Sequence, residues 1–223
     1  MQVFKRFSSA LVADCLDELG ATAQVMSPAI RLLVAPPGGV ALVGRVRTLT
    51  FRLLEPADRF AAVPHERAVE QLRWREQWGL APGDLVAIGF EGETPEVVVQ
   101  GELVSIYYAR LGVAGTVTDG YVRDLDGLAH LGFPVLARGT TPANGRGRLA
   151  RVATGRPVVI GGVEVSEGDV IHADRDGAVV IPGRLVDDLP ARLAAALDAE
   201  AASAEMVASG ATLAEAFDAH RRL

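Results

Sequence analysis

Near the start of the chain, apolar positions recur at helical spacing. Leu11, Val12, Cys15, Leu16 and Leu19 share one face, behind a Ser8-Ser9 pair able to cap the first turn and ahead of Gly20, a natural closing residue. Residues 21–38 carry Pro28, Pro36, Pro37 and Gly38-Gly39, and read as loop. From Val40 to Phe51 (VALVGRVRTLTF) the pattern shifts toward alternation and β-branched residues, which predicts a strand. Residues 55–79 are irregular. Pro56 and Pro64 bracket a loop, and Glu66 to Trp78 predicts a charged, peripheral helix on which Trp74 and Trp78 stand at i,i+4 and can bury together. A turn at Pro82-Gly83-Asp84 leads to a strand from Leu85 to Gly89, a loop from Phe90 to Pro95 and a short apolar run from Val97 to Val99.

The chain then organises around Gly101 to Gly127, GELVSIYYARLGVAGTVTDGYVRDLDG. It predicts a helix from Glu102 to Leu111 ended by Gly112, a short strand from Gly112 to Val117, and a turn at Thr118-Asp119-Gly120 before Arg123-Asp124. Asp126 can cap a second short helix ending near Leu131-Gly132, and Phe133 to Ala137 is the next strand. Beyond the polar loop from Gly139 to Gly147, short strands at 149–152, 157–160, 163–165, 170–173 and 178–181 alternate with turns at Gly161-Gly162, Gly168-Asp169 and Asp176-Gly177. The end is helical: Leu185 to Ala204, then Leu213 to Arg222 after Gly210. Strands alternating with a few helices predict one mixed α/β domain spanning residues 1–223, with a helical tail from about 183.

Composition narrows the function classes. Hydrophobic residues make up 49%, ample for a core, and 22 Lys and Arg against 28 Asp and Glu give a net charge of −6. Without a basic block, a nucleic-acid partner is not expected. No apolar stretch is long enough to span a membrane, and no secretory pattern opens the chain, so a cytoplasmic protein is expected. The one cysteine, Cys15, lies on the apolar helix face and reads as core packing.

The chemistry converges on two ends of the organising stretch. Twenty residues separate Glu102 from Arg123, which suits one helix plus one strand and brings both ends to one sheet edge. A helix N-terminus receives anions. A sparse Asp and Glu set suits Mg²⁺, which keeps several waters. An arginine can fork onto a carboxylate or enolate. Arg123-Asp124 alone also fits a surface ion pair beside a turn. His65, His130, His172 and His220 are scattered without metal-ligand spacing, so zinc is not expected. No G-x-S-x-G elbow, Walker A loop or dinucleotide fingerprint occurs, and Ser105 reads as a small core-facing or capping residue.

The segment GELVSIYYARLGVAGTVTDGYVRDLDGLAHLGFPVLARGTTP resembles the RraA-like family, which includes class II pyruvate aldolases acting on 4-hydroxy-4-methyl-2-oxoglutarate or 4-carboxy-4-hydroxy-2-oxoadipate. Its aldolase members carry an acid, a twenty-residue gap, then Arg-Asp; here these are Glu102, Arg123 and Asp124. GGVEVSEGDVIHADRDGAVVIP, PGDLVAI and SSALVADCLDELG extend the likeness over most of the chain, except residues 55–79, which read as extra sequence.

The resemblance implies an α/β sandwich related to swivelling phosphohistidine-type domains, with C-terminal helices, assembled as a homotrimer or a dimer of trimers with sites at subunit interfaces. It implies that Asp124 ligates Mg²⁺ or Mn²⁺ and that Glu102 holds the ion's waters. Arg123 would contact a small 2-oxo acid and offset enolate charge, while the helix start at Gly101, Leu103 and Val104 would bind its carboxylate through backbone N–H groups. Glu200 is the candidate for an acid reaching a neighbouring site, and the acidic face of Asp14, Asp17 and Glu18 either meets solvent or another subunit's site. The expected reaction is cleavage of a 4-hydroxy-2-oxo acid to pyruvate and a carbonyl product, with oxaloacetate decarboxylation as a side activity. The alternative is a non-catalytic regulator binding an RNA-degrading endonuclease. Relatives have been named methyltransferases, but no S-adenosylmethionine loop is visible here. One departure stands out: the first acid is commonly Asp in the family and is Glu102 here.

Overall fold

The computed structural model describes residues 1–55 and 72–222. Among them, nine strands form one sheet in the order β1-β6-β5-β3-β2-β10-β11, with β4 added beside β5 and β7 beside β2. The strands are β1 (Arg31–Val34), β2 (Leu42–Leu53), β3 (Asp84–Glu91), β4 (Val98–Gln100), β5 (Gly115–Val122), β6 (Val135–Thr140), β7 (Leu149–Thr154), β10 (Val170–Ala173) and β11 (Ala178–Ile181). The pairs β2–β3, β3–β5 and β5–β6 are parallel, and the flanking pairs β1–β6, β2–β10 and β10–β11 antiparallel. A separate hairpin, β8 (Val158–Ile160) and β9 (Val163–Val165), turns through Gly161-Gly162, both at positive φ. The helices are α1 (Ser9–Glu18), α2 (Glu102–Arg110), α3 (Leu125–Leu131), α4 (Leu189–Ala208) and α5 (Leu213–His220).

A parallel sheet covered on both faces reads as a continuous apolar run, and its side chains divide by parity. In β3, Leu85 and Ala87 pack with the β8–β9 hairpin, while Val86 and Ile88 pack with Tyr108 of α2 and Leu128 of α3. Likewise Leu136 of β6 faces the hairpin, and Val135 and Ala137 face the helices. A third cluster joins α1 and α4 to β10 and β11 through Leu11, Leu16, Val170, Ile181 and Leu193. Cys15 is buried there. Trp74 and Trp78 meet with ring centroids 5.7 Å apart and pack, half-buried, against the helix-side cluster. No helix among the described residues is long and apolar enough to cross a membrane.

Four sequence expectations are corrected. Residues 31–34 lie in the segment read as loop, yet they form edge strand β1 on β6, with a register shift between Leu32 and Val34. RLLV is too short to show a period. The strand expected to stop at Val117 runs on to Val122, so Thr118-Asp119-Gly120 is not a turn. Its irregularity is a register shift against β6 between Thr118 and Tyr121, and Thr118 Oγ1 accepts from Gly120 N–H at 2.9 Å. A Cβ at Gly120 would fall 2.8 Å from the tip of the Phe90 ring, so a larger residue there would have to displace that ring. The N-cap position of α3 is taken by Asp124, which makes no side-chain cap bond, and Asp126 lies inside the first turn. The long C-terminal helix starts at Leu189 rather than Leu185, which ends a 3₁₀ turn from Gly183. The loop between Pro56 and Pro64, His65 and the first part of the helix expected from Glu66 lie outside the described residues; 72–77 are helical.

α1 is tied to the turn between β10 and β11, the strands it packs on, by a carboxylate. Ser8 caps Leu11 N–H locally, while Asp174, between β10 and β11, accepts from Ser9 N–H (2.7 Å) and Ser9 Oγ–H (2.6 Å). Desolvation pushes the Asp174 carboxyl up, but these bonds and the Asp176 amide outweigh it and hold it below the usual 3.8. Beneath it His172 is fully buried; Nε2 meets the Phe4 carbonyl at 3.2 Å and Nδ1 has no partner. Burial, only partly opposed by Asp174, holds its pKa below 6.5. Unfolded chains protonate this ring near 6.5 while the folded chain resists, so stability is intact above that pH and falls with acid below it. The Asp174 contribution has the same sign but is lost only below about 3.8. The denaturant midpoint should therefore drop between pH 7 and 5, and His172→Gln should flatten that drop. A wild-type midpoint constant across the window contradicts the assignment.

Candidate functional site

The site grows from the carboxyl ends of β4 and β5, where open α/β sheets place ligands. β4 ends at Gln100, and α2 begins at Glu102 with Gly101 at its N-cap, extended at φ −133° and without a side-chain cap. β5 ends at Val122, and Arg123 N–H donates to the Gln100 carbonyl at 3.2 Å. Asp124 follows in the left-handed region, at φ 62° and ψ 40°, and opens α3. Asp is among the few residues that visit this region routinely. The twist turns its carboxylate back toward β4, where Oδ2 accepts from Glu102 N–H at 3.1 Å.

The contact requires a glycine. A Cβ on Gly101 would lie 2.6 Å from Asp124 Oδ2 and 3.2 Å from both Cγ and Nε of Arg123. Arg123 Nε lies 3.5 Å from Asp124 Oδ2; it is buried and makes no hydrogen bond. The two side chains are 40% and 43% exposed, so this ion pair is worth at most about 1 kcal/mol to the fold. Asp124 Oδ1 and the Arg123 Nη groups have no protein partner among the described residues. Both residues line a cavity of about 460 Å³ with Leu125, Thr140, Thr141 and Pro142. Thr141 N–H, bonded to the Val122 carbonyl at 3.1 Å, holds that far wall against the end of β5.

Of the residues expected from sequence, Arg123, Asp124, Gly101 and the backbone of Glu102 converge. In the first turn of α2, Glu102 N–H goes to Asp124 and Ser105 N–H to the Gly101 carbonyl (3.2 Å), which leaves the Leu103 and Val104 N–H groups without intrahelical acceptors. The Glu102 carboxylate takes another direction. It rests against Gly127 in the first turn of α3, where a Cβ would fall 2.5 Å from Oε1. Glu200 lies away from this junction, 3.6 Å from Arg222, which also meets Glu18 at 2.5 Å. That pairing also ties part of the α1 acidic face to the chain's own C-terminal segment.

Sequence reasoning missed a buried relay beneath the site. Thr116 Oγ1–H donates to Gln100 Oε1 (2.9 Å), Gln100 Nε2–H to Ser105 Oγ (2.8 Å), and Ser105 Oγ–H to the Gly101 carbonyl (3.0 Å). Gln100 is 2% exposed, and Ser105 and Thr116 are 0%. The available signal was an amide ending the apolar run VVVQ. A second cavity of about 280 Å³ lies at the opposite ends of β5 and β6, lined by Lys5, Ala41, Ala109 and Phe133 among others. Its lining has one charged side chain and no acid, so the chemistry belongs to the Arg123-Asp124 cavity.

The donors suit a hydrated hard cation better than a closed metal cage. Among the described residues no three His, Cys, Asp or Glu side chains cluster as a metal site. One carboxylate with a free oxygen, facing an open cavity, matches Mg²⁺, which uses one or two carboxylates and keeps water; it does not match Zn²⁺ or a Ca²⁺ cage.

Comparison with known proteins agrees on the fold. A protein of Halalkalibacterium halodurans, provisionally named a 4-hydroxy-4-methyl-2-oxoglutarate aldolase, is 36% identical over 103 residues, covering 46% of this chain and 48% of the relative. The chain thus spans about half the length of that curated relative. A crystal structure of an uncharacterized Pseudomonas syringae pv. tomato protein superposes with a TM-score of 0.79 at 25% identity, over 96% of this chain and 91% of the other. Streptomyces coelicolor RraAS2, described as an unusual member of the RNase ES inhibitor RraA protein family, gives 0.69 at 28% identity over 86% and 89%. The Aldolase/RraA family model matches residues 9–180, and the chain belongs to the RraA-like family.

Proposed function

We propose that the protein is a divalent-metal-dependent aldolase that cleaves a 4-hydroxy-2-oxo acid to pyruvate and a carbonyl product. The observation that carries this reading is the junction of Asp124, with Oδ1 free, and Arg123, with its Nη groups free, beside the spare N–H groups of α2. An ion pair of such small structural worth, built on a left-handed aspartate and a required glycine, is better explained by chemistry than by stability. The provisional aldolase name of the Halalkalibacterium halodurans relative supports the same reading.

In this reading Asp124 would hold Mg²⁺ or Mn²⁺ through its free oxygen, and Glu102, whose carboxylate rests against Gly127, would turn from there to hold the ion's water. When bound, the ion would supply Lewis acidity that stabilises negative charge developing on the substrate. The N–H groups of Leu103 and Val104 bind the carboxylate, aided by the helix dipole. A base removes the C4 hydroxyl proton, the C3–C4 bond breaks, and its electron pair passes to the 2-oxo oxygen as the carbonyl product leaves. Arg123 offsets the developing negative charge, and protonation at C3 yields pyruvate. Oxaloacetate would lose CO₂ by the same electron flow. Leu103 (83% exposed) and Ile106 (44%) stand in solvent beside the site, and we propose that another subunit of a homotrimer or dimer of trimers covers them in a cytoplasmic enzyme.

A second reading, a non-catalytic regulator of an RNA-degrading endonuclease, is favoured by the likeness to the Streptomyces coelicolor inhibitor-family protein. Stable capture of such an endonuclease, with no metal-dependent turnover, would select it.

The first test is pyruvate release from 4-hydroxy-4-methyl-2-oxoglutarate and from oxaloacetate, with Mg²⁺ and with EDTA, against a no-enzyme blank. Release should require the ion and vanish in Asp124→Asn. Arg123→Ala should slow turnover by about 10²–10³ with the fold intact; near-normal turnover would remove its assigned role. Gly101→Ala places a Cβ against Asp124 Oδ2 at a backbone conformation that alanine tolerates. That variant should fold normally yet lose Mn²⁺ binding, read by calorimetry; unchanged affinity would show that the carboxylate position does not matter.

A further inference from the structure

We propose that Gln100 is a positioning residue: its buried side-chain amide, acting through Ser105 and the Gly101–Glu102 peptide, sets the direction of the Asp124 carboxylate. The inference rests on the metal site proposed above. A buried amide costs about 1–3 kcal/mol unless its hydrogen bonds are made, and a Val or Leu after Val98 and Val99 would serve packing equally well. Here the bonds are made and they run one way. The Thr116 hydroxyl donates to Gln100 Oε1, so Nε2 faces Ser105; Ser105 accepts there and spends its own proton on the Gly101 carbonyl.

That carbonyl belongs to the peptide whose N–H, from Glu102, donates to Asp124 Oδ2. Holding the carbonyl from one side through Ser105 N–H and Oγ–H fixes the plane of the peptide, and so the line along which its N–H meets Asp124. With Oδ2 occupied, Oδ1 is the oxygen left for a ligand. Gln100 also accepts Arg123 N–H on its main-chain carbonyl, so both ends of the site are registered on one residue. Groups that orient a metal ligand commonly contribute 10–100-fold in affinity, at about that order of magnitude.

The test uses Gln100→Leu, Ser105→Ala, Thr116→Val and Thr116→Ser, read by Mn²⁺ calorimetry, Mn²⁺ electron paramagnetic resonance and hydrogen exchange at the Glu102 amide. The first three should weaken Mn²⁺ binding about tenfold and speed exchange at Glu102. Thr116→Ser, which keeps the hydroxyl, should behave as wild type. Thr48→Val is the control: Thr48 is fully buried in β2, a strand that pairs with neither β4 nor β5, and its hydroxyl meets Glu167 instead. It should lower the unfolding midpoint without changing either site readout. If Gln100→Leu does not fold, the milder Ser105→Ala decides. Wild-type Mn²⁺ affinity and an equally protected Glu102 amide in the folded relay variants would overturn the inference. A wild-type protein that binds no Mn²⁺, either alone or with pyruvate present, would instead overturn the metal reading, and Glu102 exchange in the variants would still decide whether the relay orients the peptide.

Discussion

The hydrogen bond from Glu102 N–H to Asp124 Oδ2 closes one β4-α2-β5 unit on itself, and the candidate site depends on that closure. A non-glycine residue in the left-handed region costs about 1–3 kcal/mol. A hydrogen bond to a charged carboxylate returns about 1.5–3 kcal/mol when buried, and less at an exposed position such as this one. The two nearly cancel, so the closure adds little to stability. It does fix which carboxylate oxygen is committed and which is free. Gly101 makes this possible by leaving vacant the volume that Asp124 and Arg123 occupy.

Topology supplies the rest of the geometry. Parallel strands need crossover connections, and α2 and α3 provide two in succession, both packed on the same face of β3, β5 and β6. Their N-termini therefore emerge at the same sheet edge, at the ends of β4 and β5. α2 brings N–H groups to that edge, while the turn into α3 brings Asp124. The longer Glu102 side chain reaches the first turn of α3 and lies over Gly127, where a glycine leaves it room. Its backbone thus serves one half of the junction and its carboxylate leans on the other.

Much of this was legible because local rules and tertiary structure agree. The Ser8 cap, Gly20 and Gly112 closing their helices, and the Gly161-Gly162 hairpin turn are all decided by near neighbours. The twenty-residue gap placed Glu102 and Arg123 at one edge for the same reason. What failed depends on partners far away. β1 exists because β6 offers it an edge, and β5 continues through Thr118-Asp119-Gly120 because β6 absorbs the irregularity as a register shift. Asp126 had the usual cap spacing, but Asp124 is held from the start of α2, twenty-two residues earlier. The ties of Glu200 and Glu18 to Arg222, and of Asp174 to Ser9, join chain ends whose separation no local pattern encodes. The Gln100 relay was hidden because an amide after three valines looks like a strand end until its three partners are known.

If the proposed function holds, the sparseness of the donor set bears on which ion and ligand the junction would serve. A cage of several carboxylates would bind a dehydrated ion and leave it no open positions. One free oxygen on Asp124 leaves most positions to water or to an incoming ligand. Arg123 sharpens the choice, since its Nε already lies 3.5 Å from Oδ2 and its outer nitrogens remain unpaired. A lone cation would meet that positive charge across a short distance. A cation arriving with an anionic chelating ligand would not, because the ligand's own charge satisfies Arg123 and the spare N–H groups of α2 together. On the proposed reading, the arrangement favours an ion bound together with an anionic chelating ligand over an ion alone, so metal affinity should rise with ligand, and ligand affinity by the same factor with metal.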